Sequence, residues 1–180
     1  MSRPPLARER VLDAFESILL DDGERTATLD ATAKAAGVSK GGLLYHFASK
    51  DDLAAGMIAR LKHLVEEDLV EMRSTPEGPV AYYVRTSVME NAPLDRALIA
   101  VSRLAQGGSA DAAVALRQTR QSWGDAIRPH VRDETALDLV LLVSDGLYFN
   151  NSLDVNGPDR LVPRGAELRA LIELVVRATA

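Results

Sequence analysis

Apolar residues recur at intervals of three and four along most of the chain, and no stretch alternates long enough to build a strand. Val11, Leu12, Phe15, Ile18 and Leu19 form the first stripe, which predicts a helix over residues 6–20, closed by Asp21-Asp22-Gly23. A longer stripe runs through Leu53, Met57, Ile58, Leu61, Leu64, Val65, Leu69 and Met72. It predicts a helix over residues 50–73, roughly 36 Å long. Ser49 with Asp52 three residues on has the pattern of a capping box that opens this helix, and Ser74-Thr75-Pro76-Glu77-Gly78-Pro79 breaks it. Further helices are expected near 80–90, 93–105, 110–128, 134–150 and 166–178, with turns at 106–109 and 128–130 and a longer loop at 154–159. Pro93 suits the first turn of its helix, where a missing N–H costs nothing. The expectation is an all-α protein. A small three-helix head, residues 1–50, precedes a five-helix body, residues 51–180, and the long fourth helix connects them.

Between the first and fourth helices, residues 28–53 read TLDATAKAAGVSKGGLLYHFASKDDL. Two short helices separated by a glycine-containing turn make a helix-turn-helix, whose second helix enters the DNA major groove. In the turn Ala36-Gly37-Val38-Ser39, Gly37 accepts the left-handed backbone that ends a helix. Ser39 is a natural N-cap for the second helix and Thr28 for the first. Ala33 is small enough for the helices to cross closely. Val38, Leu43 and Phe47 are expected in the core.

The segments Ala36-Gly37-Val38-Ser39, Leu44-Tyr45-His46-Phe47 and Ser49-Lys50-Asp51-Asp52-Leu53 together resemble the signature of the tetracycline-repressor (TetR) family. The resemblance covers about the first third of the chain. It implies an all-helical, dimeric regulator whose N-terminal head binds a DNA operator and whose body senses a small molecule and dimerises. Two positions depart from the family pattern. Thr32 stands where isoleucine is usual, which predicts looser packing under the first motif helix. Gly42-Leu43-Leu44 replaces the commoner threonine-leucine-tyrosine, which removes an aromatic phosphate contact at Leu44.

The DNA-facing residues follow from the motif. Ser39, Lys40, Gly41 and Gly42 stand at the start of the recognition helix, nearest the base edges, where Lys40 can donate to guanine or to a phosphate. The two glycines either let backbone approach DNA closely, leaving DNA shape a share of the readout, or merely loosen the helix. Tyr45 and His46 reach phosphates, as the resemblance implies, or stay an aromatic partly buried and a neutral surface side chain. Lys50 and Thr28, each at a helix start, combine a polar side chain with free N–H groups that suit a phosphate.

Charge changes this picture only by its distribution. The chain of 180 residues carries a net charge of −5, yet residues 1–50 hold basic and acidic side chains in equal number. Arg3, Arg8, Arg10, Lys34, Lys40 and Lys50 lie near the motif or helix starts, while Asp21, Asp22 and Glu24 cluster at the far end of the first helix. A basic face on an acidic body is expected. The absence of cysteine excludes disulfides and thiolate metal sites. Neither a signal-peptide core nor an apolar run of membrane-spanning length occurs, which points to the cytoplasm.

The body offers weaker signals. Tyr82, Met89, Arg103, Trp123 and Phe149 are candidates to line an effector cavity, with Tyr83, Tyr148, Asn91, Gln118 and Asn150 as further candidates. Arg103 pairs an anionic ligand or reaches solvent. Leu137, Val140, Leu141, Ser144 and Leu147 on one helix, with Leu168, Leu171, Ile172 and Val175 on the last, are expected to pair with their symmetry mates in a homodimer. A two-fold dimer predicts a palindromic operator with half-sites about 34 Å apart, or a multiple. Catalysis finds no support: there is no phosphate loop, nucleophile elbow or metalloprotease motif, and His63 with Glu66 makes a poor metal site. No cofactor or metal is expected. The competing reading is a helical small-molecule-binding module without specific DNA binding.

Overall fold

The computed structural model describes residues 4–153 and 161–180. Arg3 and the loop expected at 154–159 lie outside the described residues. Within them the elements are α-helices and one 3-10 turn, with no strand. The helices are α1 (Pro4–Asp21), α2 (Leu29–Ala36), α3 (Lys40–His46), α4 (Lys50–Ser74), α5 (Pro79–Thr86), α6 (Pro93–Gln106), α7 (Ala110–Ile127), α8 (Glu134–Leu153) and α9 (Gly165–Thr179), with the 3-10 turn at Arg128–His130. The protein is all-α, as its periodicity predicts.

Helix ends coincide with local chemistry. Pro79 and Pro93 occupy first turns, where no N–H is needed. Asp95 Oδ2 accepts the Ala92 N–H at 3.0 Å, Ser109 Oγ accepts from Ala112 at 3.3 Å, and Asp133 Oδ1 accepts from Ala136 at 2.8 Å. No helix of the described residues is long and apolar enough to cross a membrane.

The chain packs as two compact units. The first holds the residues up to Val65 together with Asn91–Thr119, so α6 shares a unit with the helix-turn-helix. Its core includes Leu12, Phe15, Leu19, Leu43, Leu53, Met57, Leu61 and Val101. Here α1 is the hub, packing on α2, α3 and α6. Burial alone does not hold this unit together. The Arg60 guanidinium of α4 meets Glu9 at 2.9 Å, Asp13 at 2.8 Å and the buried Glu16 at 3.2 Å, all on α1. Arg96 of α6 lies 3.8 Å from the same Glu16 carboxylate and donates to Ser17 Oγ at 3.4 Å. Burial pushes the Glu16 carboxyl above its usual range, against the opposing pull of Arg60 and then Arg96.

The second unit holds Glu66–Glu90 and the described residues of Arg120–Ala180. In it α5 packs on α8 and α9, and α8 packs on α9. Met72, Val84, Ile127 and Val140 are wholly buried. The N-terminal part of α7 belongs to the first unit and its C-terminal part to the second.

Candidate nucleic-acid interface

The helix-turn-helix is built by short-range hydrogen bonds. Thr28 Oγ1 accepts the Ala31 N–H at 3.2 Å and opens α2. At the other end Gly37 sits at φ 65°, ψ 36°, and the Val38 N–H reaches back to Ala33 O at 3.0 Å. That is the left-handed glycine termination, which a residue with a Cβ resists. Arg10 of α1 adds a donor, its Nη2 lying 2.6 Å from Ala36 O. Ser39 Oγ then accepts the Gly42 N–H at 3.1 Å and opens α3. Ser49 Oγ does the same for α4 through Asp52 N at 3.1 Å.

Only Leu43 anchors α3 from within, and it is wholly buried. Phe47, just past the helix, is buried as well and carries the Arg8 guanidinium 5.0 Å above its ring. Val38, expected in the core, is only half-buried. Thr32 is fully buried and its hydroxyl donates to Thr28 O at 2.8 Å, so the polar group in the isoleucine position is satisfied. Gly56 belongs to no motif of the sequence. A Cβ there would stand 2.9 Å from Leu12 and 3.1 Å from Phe47, so its bareness is what lets α4 approach α1 and the end of α3. A glycine inside a strong helical stripe is the signal that points to such a close approach.

The rest of α3 faces outward. Lys40, Gly41, Gly42, Leu44 and Tyr45 are exposed, Tyr45 to 83%. His46 is half-buried, its ring edge-on to Tyr45 with centroids 5.1 Å apart. Thr28 and Ser39 are exposed at their helix starts. Gly41 has open space where a Cβ would be, whereas a Cβ at Gly42 would crowd the Ser39 cap at 3.2 Å.

The two expected phosphate-binding lysines are both held by carboxylates. Lys40 Nζ lies 3.0 Å from Asp30 Oδ1, with both side chains well exposed. Lys50 Nζ donates to Glu24 Oε1 at 2.6 Å and to Glu24 O at 2.8 Å, partly buried. The expected segregation of charge is therefore corrected at one point: Glu24 folds back onto Lys50 instead of standing apart from the motif.

The body residues sort differently. Tyr82 and Trp123 converge on Asp68, the phenol donating to Oδ1 and the indole N–H to Oδ2, each at 2.8 Å. The Tyr83 ring lies 5.4 Å from that of Trp123. Burial raises the phenol pKa of both tyrosines, with Asp68 adding to the effect at Tyr82. No sequence pattern marks Asp68, because its two aromatic partners are distant along the chain. Met89 is half-buried in the same unit. Arg103 is exposed and belongs to the other unit, and Phe149 is 64% exposed.

The dimerisation residues need the largest correction. Leu137, Val140, Leu141, Ser144 and Leu147 of α8, and Val175 of α9, are buried within one chain and so face its own core. Leu168, Leu171 and Ile172 are half-buried. The outward apolar stripe of α8 is instead Leu139, Leu142 and Phe149, at the three- and seven-residue spacing of one helix face. On α9 Leu174 and Val176 are exposed.

Residues 11–57 match the family described as bacterial regulatory proteins, tetR family. The chain is 34% identical over 61 residues to the HTH-type transcriptional regulator SrpR of Pseudomonas putida, a match covering 34% of this chain and 29% of that one. Thus the similarity spans under a third of that relative's length. Among solved structures, NalD, the secondary repressor of the MexAB-OprM multidrug efflux pump in Pseudomonas aeruginosa, aligns with a TM-score of 0.67 at 21% identity, over 99% of this chain and 98% of NalD. The multidrug binding protein EbrR, complexed with malachite green, aligns with a TM-score of 0.69 at 18% identity, over 96% and 98% of the two chains. At these identities the two structures establish a shared fold.

Proposed function

We propose that the chain is a regulator of the tetR type, a reading that the match of residues 11–57 supports, and that it binds a palindromic operator as a homodimer and is released by a small-molecule effector. On this reading it is a DNA-binding transcription regulator and not an enzyme, which the tetR-type match of its head supports. The observation that carries the DNA-binding assignment is α3 itself, a helix capped by Ser39, anchored through Leu43 alone, with most of its side chains turned to solvent. A helix so little buried gains almost nothing from its own core, and such exposure serves a groove-reading role. On this reading Thr28, Ser39, Lys40, Gly41, Gly42, Tyr45, His46 and Lys50 form the DNA contact, with residues 1–50 as the DNA-binding domain and 51–180 as the sensing and dimerising one. Its place of action is the cytoplasm.

The homodimer rests on the outward stripe of α8, Leu139, Leu142 and Phe149, and on exposed Leu174 of α9. Exposed apolar side chains at helical spacing favour a protein partner over water, and two-fold pairing makes the operator palindromic. We assign the effector to the second unit, on the expectation from Tyr82 and Trp123, which with Tyr83 form a buried aromatic group beside Asp68 there. It acts as a repressor's inducer if it favours a conformation in which the paired recognition helices no longer match their half-sites. For that it must bind the released conformation better than the DNA-competent one.

The test is a titration against DNA from upstream of the chain's own gene and against a random-sequence pool, repeated across salt concentrations. Specific, salt-sensitive binding supports the reading, because each phosphate contact releases counterions. Failure against both DNAs at low salt overturns it and leaves a helical small-molecule-binding module.

A further inference from the structure

Glu24 lies in the turn between α1 and α2, a position that no motif marks. Its carboxylate and main-chain oxygen together take two hydrogen bonds from the Lys50 ammonium, at 2.6 and 2.8 Å. An ammonium has three donors, so one is left for any other acceptor. The paired side chains are 33% and 27% exposed, sheltered enough that salt screens the contact less than an open surface pair.

The other side of the Glu24 side chain is closed by Gly107, which ends α6. A Cβ at Gly107 would stand 2.5 Å from Glu24 Cγ, 2.8 Å from Cδ and 3.0 Å from Oε2. The backbone does not ask for glycine there, since φ −73° and ψ −1° suit any residue. The next residue, Gly108 at φ 101°, does need glycine, but nothing lies near its missing Cβ. The space that Gly107 leaves empty is therefore filled by Glu24. Lys50, Glu24 and Gly107 come from three distant parts of the chain and belong to one compact unit.

We infer that Glu24 is an internal stand-in for a DNA phosphate at Lys50, seated by the bare end of α6. The inference rests on the DNA-binding reading above. A carboxylate and a phosphate oxygen are both anionic acceptors for the same ammonium, so they compete for it. DNA binding at Lys50 must displace Glu24 or accept a lysine whose charge is already neutralised. The last turn of α6 sets how firmly Glu24 is held, because a shift of one methyl group's width towards it removes the space the carboxylate occupies. Glu24 and Gly107 thus act as positioning residues for a phosphate contact that neither touches.

Glu24→Gln keeps the shape and removes the charge. Gly107→Ala leaves every charged residue intact and forces Glu24 to move. Each variant, with the parent, is titrated with a fluorescent duplex of random sequence and with the operator at several salt concentrations. Both variants are expected to bind about fivefold more tightly at low salt, with a salt dependence steeper by about one counterion per head. In a Lys50→Ala background both effects vanish, an outcome that general loosening of the fold would not produce. In NMR spectra of the DNA-free chain, the Lys50 Nζ resonance shifts in Gly107→Ala as it does in Glu24→Gln.

Unchanged or weaker binding of Glu24→Gln, while the parent binds, overturns the stand-in. A Gly107→Ala chain with parental affinity and an unshifted Lys50 resonance overturns the seating by α6. Should Gly107→Ala fail to fold, the Glu24→Gln and Lys50→Ala comparison still decides the stand-in. A parent that binds neither DNA at any salt overturns the functional reading and the competition with it.

Discussion

Helices α3 and α8 both expose much of their surface, and they do so with opposite chemistry. The seven residues of α3 include one buried side chain, Leu43, and leave Lys40, both glycines, Leu44 and Tyr45 exposed, with His46 half-buried. The twenty residues of α8 bury one face, Leu137 through Leu147, and still show Leu139, Leu142 and Phe149 to solvent. A polar, lightly anchored helix sacrifices its own burial to reach a charged groove. An apolar outer face on a helix already well buried wants a second protein surface. Exposure alone therefore does not identify a partner. The chemistry of what is exposed does.

The largest expected effect comes from charging the apolar stripe. If the proposed homodimer forms through this stripe, Leu142→Arg should leave a monomer in sedimentation and lower operator affinity on the order of 100-fold, because two linked half-site contacts become one. A variant that stays dimeric would place the interface elsewhere. Next comes the single anchor of α3. Leu43→Ala should cost about 2–5 kcal/mol, read from chemical unfolding, since a fully buried leucine leaves a cavity. A smaller loss would mean that caps, and not Leu43, hold the helix.

Lys40→Ala should weaken operator binding about tenfold and leave the dimer intact, the converse of Leu142→Arg. Its exposed pair with Asp30 adds little to stability, so unfolding should hardly change. Ser39→Ala should cost about 1 kcal/mol, read from the same unfolding curves, by removing the cap on Gly42 N.

The smallest effect tests the inner side of the second unit. Burial keeps the Tyr82 and Tyr83 phenols protonated in the folded chain above their ordinary value of 10.0. Above that pH the unfolded chain gives up these protons and the folded chain keeps them. Their contribution to stability is therefore full below about pH 10 and is lost as pH rises towards the folded values. Urea midpoints should fall as pH rises from about 9 to about 11, and Tyr83→Phe should make the fall shallower. An equal slope in parent and variant would remove Tyr83 from this account.

The sequence by itself determined what depends on neighbours within about four residues. The start of α4 at Lys50, the prolines opening α5 and α6, the Thr28, Ser39 and Ser49 caps and the left-handed Gly37 all follow from local hydrogen bonds and backbone sterics, and all were legible. The family signature was legible for the same reason, because its segments are contiguous. What tertiary structure decided is which side of a helix is covered. The stripe of α8 is apolar on more than one face, so the pattern could not say that Val140 turns inward while Leu142 turns out. The packing of α5 and α9 chose. The pairing of Glu24 with Lys50, the seat at Gly107 and the convergence of Tyr82 and Trp123 on Asp68 join residues far apart in the chain. Periodicity reports where a helix is apolar, and only the neighbours brought by folding decide which of those positions lose their water.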